Sequence, residues 1–151
     1  MSSENIHAGV IALWRNARWQ GVLIEGPSGA GKSDLALRAI QQGFRLVSDD
    51  RTLLWTSGGA LFGRSPGALS GQIEARGLGI VGESPLALAR IALVVACAPG
   101  PEAIERLPDP KLDVRQGVKL PLLTLWPLEP GAPAKIARAL HHLGAGLGAG
   151  P

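Results

Sequence analysis

The chain has 151 residues, of which 46% are hydrophobic and 18% charged; that is enough for one packed core and excludes a disordered polymer. Its formal charge is only +3, and the fifteen Lys and Arg are scattered without a basic run or a basic-aromatic stripe, which argues against a nucleic-acid partner. No apolar stretch reaches membrane-spanning length, and "HAGVIALW" is short and follows Glu4 without a basic flank, so neither membrane anchor nor signal peptide is expected and the protein is expected in the cytoplasm.

In chain order, residues 7–13 predict a strand and "WRNARWQG" a turn into the next, residues 21–25. "KSDLALRAIQQG" predicts a helix with Leu35, Ala36, Ala39 and Ile40 on one face, closed by Gly43 as its C-cap. "FRLVSDD" begins as a short strand, and "RTLLWTSGGALFGR" predicts a hairpin turning at Ser57–Gly59. "SPGALSGQIEARGLGIVG" is rich in glycine and reads as loop. A helical turn and a buried strand are expected in "PLALARIALVVACA", with Cys97 as a buried thiol that has no partner for a disulfide. "PGPEAIERLPDPK" predicts a loop carrying one helical turn. "VKLPLLTLW" predicts a strand in which Pro121 suits an edge or a strand start. "APAKIARALHHL" predicts a closing helix with Ile136, Ala139, Leu140 and Leu143 inward, and His141 and His142 near its end complement the helix dipole or lie on the surface. Residues 144–151, "GAGLGAGP", are expected to be disordered, leaving 1–143 as a single α/β domain with a mixed sheet.

Residues 26–33 read G-P-S-G-A-G-K-S, a full match to the phosphate-binding loop, or P-loop, G-x-x-x-x-G-K-[ST]. The loop follows a predicted strand and opens a predicted helix, which is the context this chemistry needs. Gly26, Gly29 and Gly31 permit a tight turn that aims successive N–H groups at phosphate, with Pro27, Ser28 and Ala30 between them. The helix N-terminus adds its dipole. Lys32 can then reach the β- and γ-phosphates of ATP, and the Ser33 hydroxyl can ligate Mg²⁺.

Asp49 and Asp50 end the next strand, seventeen and eighteen residues after Lys32. In an alternating strand the two carboxylates point opposite ways, so one can face metal while the other serves as base. Glu74 and Arg76, two residues apart in "IEARGLGI", form a second polar pair that chemistry alone does not assign.

Together "GPSGAGKSDLALRAIQQGFRLVSDD" and "IEARGLGI" resemble the HPr kinase/phosphorylase family, from His7 to about Gly131. The resemblance implies a protein-serine kinase acting on HPr, the phosphocarrier of the bacterial phosphotransferase system. It also implies a fold related to phosphoenolpyruvate carboxykinase and a hexamer of catalytic domains. On the family pattern Asp50 is the proton acceptor, with Asp49 beside it, and His7 is the catalytic histidine. Lys32 and Ser33 are the loop's functional pair, Glu74 binds Mg²⁺, and Arg106 in "IERLP" stands at the place of a required arginine. Longer members of the family carry a regulatory N-terminal domain, which is not expected in this chain. Where the family carries a basic loop for dephosphorylation, residues 127–132 read "PLEPGA" with Glu129 and Ala132, which implies a kinase-leaning form. Two other readings of the motifs are a P-loop kinase or ATPase acting on a small molecule, and a module that senses nucleotide without turnover.

Overall fold

The computed structural model describes residues 3–143; the tail expected to be disordered, 144–151, lies outside them. Nine strands build one mixed sheet: β1 (Glu4–Ile6), β2 (Gly9–Arg15), β3 (Arg18–Glu25), β4 (Arg45–Ser48), β5 (Thr52–Ser57), β6 (Ala60–Arg64), β9 (Ala89–Cys97), β10 (Lys111–Arg115) and β11 (Val118–Leu125). A separate hairpin pairs β7 (Gln72–Ala75) with β8 (Gly79–Gly82). The helices are α1 (Lys32–Gln41) and α2 (Ala132–His142).

Strand β9 is the hub. It runs parallel to β3 along one edge, and its other edge is shared in succession. Antiparallel β6 pairs with its start at Ala89 and Arg90, and parallel β11 pairs with its end from Val94 to Cys97. The sheet therefore forks, and so curls, at β9.

Both faces are covered, which explains the near-continuous apolar runs in β2, β3 and β9. Ile11, Val22, Ile24, Leu93 and Val95 face α1 and α2, where Leu35, Ala39, Ile136 and Leu140 meet them. Val10, Ala12, Leu23 and Val94 face the opposite way into a second cluster with Leu54, Leu61, Ile91 and Leu120. Period-2 alternation in β2 and β3 sorts each apolar run between two cores, while in β9 Ala92 and Leu93 both join the first core where the pairing with β3 shifts register.

Several sequence expectations change. The first predicted strand begins at Gly9 rather than His7 and runs on to Arg15. The turn after it is only Asn16–Ala17, both at positive φ (52° and 60°), so β2 and β3 pair up to Arg15 and Arg18. A two-residue hairpin of this kind normally carries Gly or Asn-Gly, and Ala17 hides it. The C-cap of α1 is Gln42, with Gly43 (φ 101°) one residue further on. Residues 72–82, read as loop, form the β7–β8 hairpin, and no helical turn forms in residues 83–88 before β9. Strands β1 and β10 escaped the sequence because both are short and mostly exposed.

Strand β11 is not an edge: it pairs antiparallel with β10 and parallel with β9. Pro121 is tolerated because pairing with β9 starts only at Leu122. The predicted hairpin at 57–59 and the inward set of the closing helix are found as expected, with Leu143 partly buried.

Candidate functional site

Strand directions decide what meets at the end of the sheet. β2 lies between β3 and β4 and is antiparallel to both, so β3 and β4 point the same way. The C-terminal end of β3, the C-terminal end of β4 and the N-terminal start of β2 therefore share one edge. That edge receives the glycine-rich loop 26–31, the pair Asp49–Asp50 and His7. The parallel strands β9 and β11 end there too, delivering Cys97 and the segment 126–131. In open α/β sheets such a C-terminal edge is where ligands bind.

Close approach dictates two of the loop's glycines. A Cβ on Gly26 would lie 2.8 Å from the Cβ of Cys97. One on Gly31, which has φ 106°, would lie 2.8 Å from Cδ2 of Leu128. Lys32 is buried, and its Nζ donates to the carbonyl oxygens of Gly26 (2.7 Å) and Pro27 (3.0 Å). The lysine thus ties the first turn of α1 back to the start of the loop. No side chain caps α1, so its first-turn N–H groups face outward beside the loop. Arg38 of α1 donates to the carbonyl of Glu129 (3.0 Å) and to that of Pro127, holding segment 126–131 against the same helix.

The two aspartates separate, but not by strand alternation. β4 ends at Ser48, and Asp50 sits in the left-handed region (φ 69°) in a tight bend closed by the Arg51 N–H donating to the Asp49 carbonyl (2.8 Å). Asp49 turns inward: its Oδ1 accepts from the Ser33 hydroxyl (2.7 Å) and its Oδ2 from the Glu74 N–H (3.2 Å). Asp50 turns outward, with Oδ1 2.5 Å from Nε2 of His7. Beneath the bend, the buried Ser48 and Thr52 hydroxyls bond each other (2.5 Å), and Thr52 donates to the Ala8 carbonyl (2.8 Å). This buried network fastens the strand start that carries His7 to the bend that carries Asp50.

Burial pushes the Asp49 carboxyl above its ordinary value of 3.8; the Ser33 hydroxyl and Glu74 N–H oppose the shift, and the Asp50 and Glu74 carboxylates add to it. A raised carboxyl makes stability greatest below that ordinary value and erodes it as pH rises through the folded one. Asp49→Asn is therefore expected to melt about 2 °C higher than wild type at pH 7, with the difference vanishing below about pH 4. The amide can still accept from the Glu74 N–H and donate to Ser33. Thermal melts across that pH range check the sign, and a lower melting point at pH 7 would contradict it.

Glu74 reaches the site through the β7–β8 hairpin, anchored by the buried Ile73 in the core beside α1. Its carboxylate is exposed and makes no hydrogen bond among the described residues, whereas its backbone N–H donates to Oδ2 of Asp49. Arg106 is not brought in. It is exposed, its neighbours Ile104, Glu105 and Pro108 line a cavity of about 580 Å³ against α2, and no described hydrogen bond or ion pair ties it to the loop.

Cys97 is half-buried rather than buried, and burial pushes its thiol up to about 11, so it stays protonated and unreactive at neutral pH. His141 and His142 are both exposed in the last turn of α2, where His141 Nδ1 lies 2.5 Å from the Arg15 guanidinium. One arrangement had no sequence signal at all. Glu25, the residue before Gly26, is held by both terminal nitrogens of Arg115, ninety residues further along the chain.

Ser33, Asp49 and the neighbouring carboxylates fit a divalent cation. The donors are hard oxygens, and their mutual repulsion is among the causes that raise the Asp49 carboxyl. Among the described residues no three His, Cys, Asp or Glu side chains converge as a protein-only metal cage. Among the described residues no helix is long and apolar enough to cross a membrane.

Comparison with known proteins agrees with this architecture. The chain is 51% identical over 61 residues to HPr kinase/phosphorylase of Clostridium beijerinckii, a match covering 40% of this chain and 20% of that protein. It is 48% identical over 66 residues to HPr kinase/phosphorylase of Clostridium perfringens, covering 44% and 22%. The chain therefore matches only about a fifth of the length of these curated relatives. The fold superimposes on the Hpr(Ser) kinase/phosphatase from Coxiella burnetii with a TM-score of 0.78 at 25% identity, covering 95% of this chain and 92% of that one. The HPr serine kinase C-terminal domain family matches residues 2–86, more than half of the sequence and the part that carries His7, the glycine-rich loop, both aspartates and Glu74, and the chain belongs to that family.

Proposed function

We propose that residues 1–143 form one catalytic domain that transfers the γ-phosphoryl group of ATP to a serine of HPr. The observation that carries this reading is the pairing at one sheet edge: Ser33 with Asp49, and His7 with Asp50, on either side of a bend next to the glycine-rich loop. The loop 26–33 acts as a phosphate-binding P-loop, in a fold related to phosphoenolpyruvate carboxykinase. Its N–H groups and Lys32 hold the phosphate chain, and Ser33, Asp49 and Glu74 would hold Mg²⁺. When bound, Mg²⁺ neutralises charge on the β- and γ-phosphate oxygens.

The serine Oγ attacks the γ-phosphorus, the bond to the β–γ bridging oxygen breaks, and ADP leaves. The serine proton passes to the Asp50 carboxylate, which His7 orients through its hydrogen bond. Outward exposure of Asp50, whose side chain is 62% accessible, suits a base that must meet a protein substrate. Arg106 steadies the transferring group only if its segment moves toward the loop when substrate binds. Segment 127–132 touches the loop through Leu128 and carries Glu129, which pairs with Lys135, rather than a basic cluster. This supports a kinase-leaning enzyme in which phosphate removal is weak. The active form is cytoplasmic and a homo-oligomer, hexameric on the family pattern.

Incubation with ATP, Mg²⁺ and HPr, followed by mass analysis, is expected to give HPr phosphorylated on a serine, and little release when phosphoserine-HPr is offered with inorganic phosphate. Unmodified HPr at high enzyme concentration would sink the reading. ATP turnover without HPr would favour a small-molecule kinase or ATPase, and tight nucleotide binding without turnover a sensor.

A further inference from the structure

We propose that Arg115 is a positioning residue for the glycine-rich loop: it neutralises Glu25 and fixes the end of β3, so that the loop receives nucleotide phosphate without an opposing carboxylate. This rests on the reading of residues 26–33 as a phosphate site.

Glu25 is the last residue of β3, immediately before the loop whose first two carbonyls accept from Lys32. Its place in the strand puts an acid next to a site that must hold a polyanion. Arg115 answers it with a fork, NH1 donating to Oε2 (2.8 Å) and NH2 to Oε1, while its Nε donates to Oδ2 of Asp113 (2.8 Å). All three side chains are about a quarter exposed, between 25% and 28%, so the pair is shielded more than a surface ion pair. These bonds, Glu25 first, raise the already high pKa of Arg115, so its charge is permanent.

The guanidinium is itself held in place. Arg115 ends β10, and the turn beyond it, Gln116–Gly117, has both residues at positive φ (49° and 80°). Gln116 Nε2 donates to the Leu54 carbonyl (3.3 Å), which draws the hairpin tip across to β5. The β10–β11 hairpin thus spans from the parallel centre of the sheet to its far arm and delivers one cation under the start of the loop. Two parallel hydrogen bonds to one carboxylate fix its orientation as well as its charge, which a lysine's point charge cannot do. An ordinary exposed ion pair would affect stability slightly and nucleotide not at all.

The test measures MgADP affinity by calorimetry, and kcat and KM for ATP in HPr phosphorylation, on the full chain. The variants are Arg115→Ala, Arg115→Lys, Glu25→Gln and the Arg115→Ala/Glu25→Gln double. Arg115→Ala is expected to weaken MgADP about tenfold and raise the KM for ATP to match, with kcat changing less. Glu25→Gln stays within about twofold of wild type, and so does the double variant, because removing the carboxylate removes the need for the cation. Arg115→Lys falls between Arg115→Ala and wild type. The double variant also answers the case in which Arg115→Ala alone fails to fold, since it leaves no unpaired carboxylate at Glu25 and only Asp113 loses its partner. Wild-type affinity in Arg115→Ala overturns the proposal, as does a double variant no better than that single one. A wild type that binds no MgADP would sink the phosphate-loop reading, and this inference with it.

Discussion

Replacing Asp50 with asparagine is expected to lower kcat for HPr phosphorylation about 10³-fold while leaving ATP affinity within about twofold of wild type, as loss of a general base predicts. The substitution isolates the chemistry. Asp50 sits at φ 69°, a conformation that asparagine tolerates better than most residues, so the bend that also carries Asp49 should survive. The amide keeps the shape and the hydrogen bond to His7 but cannot take the serine proton. Steady-state kinetics with HPr as the varied substrate read the effect. Transfer undiminished in Asp50→Asn would mean that some other group accepts the proton. A large loss of ATP affinity would mean that the bend had moved.

Lys32→Met is expected to weaken ATP binding about 100-fold, equivalent to roughly 3 kcal/mol, since a buried cation offering charge-assisted hydrogen bonds is lost. Methionine fills a similar volume without charge. Lys32 bonds the carbonyls of Gly26 and Pro27, so it stands at the loop. The substitution also leaves those two carbonyls without their side-chain donor, and some thermal stability should go with it. Calorimetric titration with ATP and Mg²⁺, beside a melting curve, separates the two effects. Unchanged affinity would remove Lys32 from the phosphate site.

What could be read ahead of the fold was local. The loop and α1 are contiguous, and glycine positions plus a helical apolar period are properties of neighbours. The hairpin at Ser57–Gly59 announced itself through two glycines at positive φ. The hairpin at Asn16–Ala17 did not, because Ala17 adopts the same conformation without the usual residue. β10 stayed hidden for a different reason. "KLDVR" is mostly exposed and becomes a strand only because β11 supplies its hydrogen-bond partners. β7 and β8 likewise depend on Ile73 reaching the core beside α1, an event many residues away from the glycines that suggested a loop.

The site divides along the same line. The sequence alone determined the glycine-rich loop with its lysine and the presence of an acid pair one helix later, because each is written in adjacent or nearly adjacent positions. Family resemblance named His7, but only the sheet explains it: His7 and Asp50 are 43 residues apart and meet because β2 threads between β3 and β4. The division of labour within the acid pair was also tertiary. A left-handed bend past the end of β4, not the pleat of the strand, sends Asp49 to Ser33 and Asp50 to His7. The Glu25–Arg115 clamp needed the whole fold. Hydrogen bonding and Coulomb attraction act through space over a few ångströms, whereas sequence records only order along the chain, and ninety residues of order carry no sign that two side chains will touch.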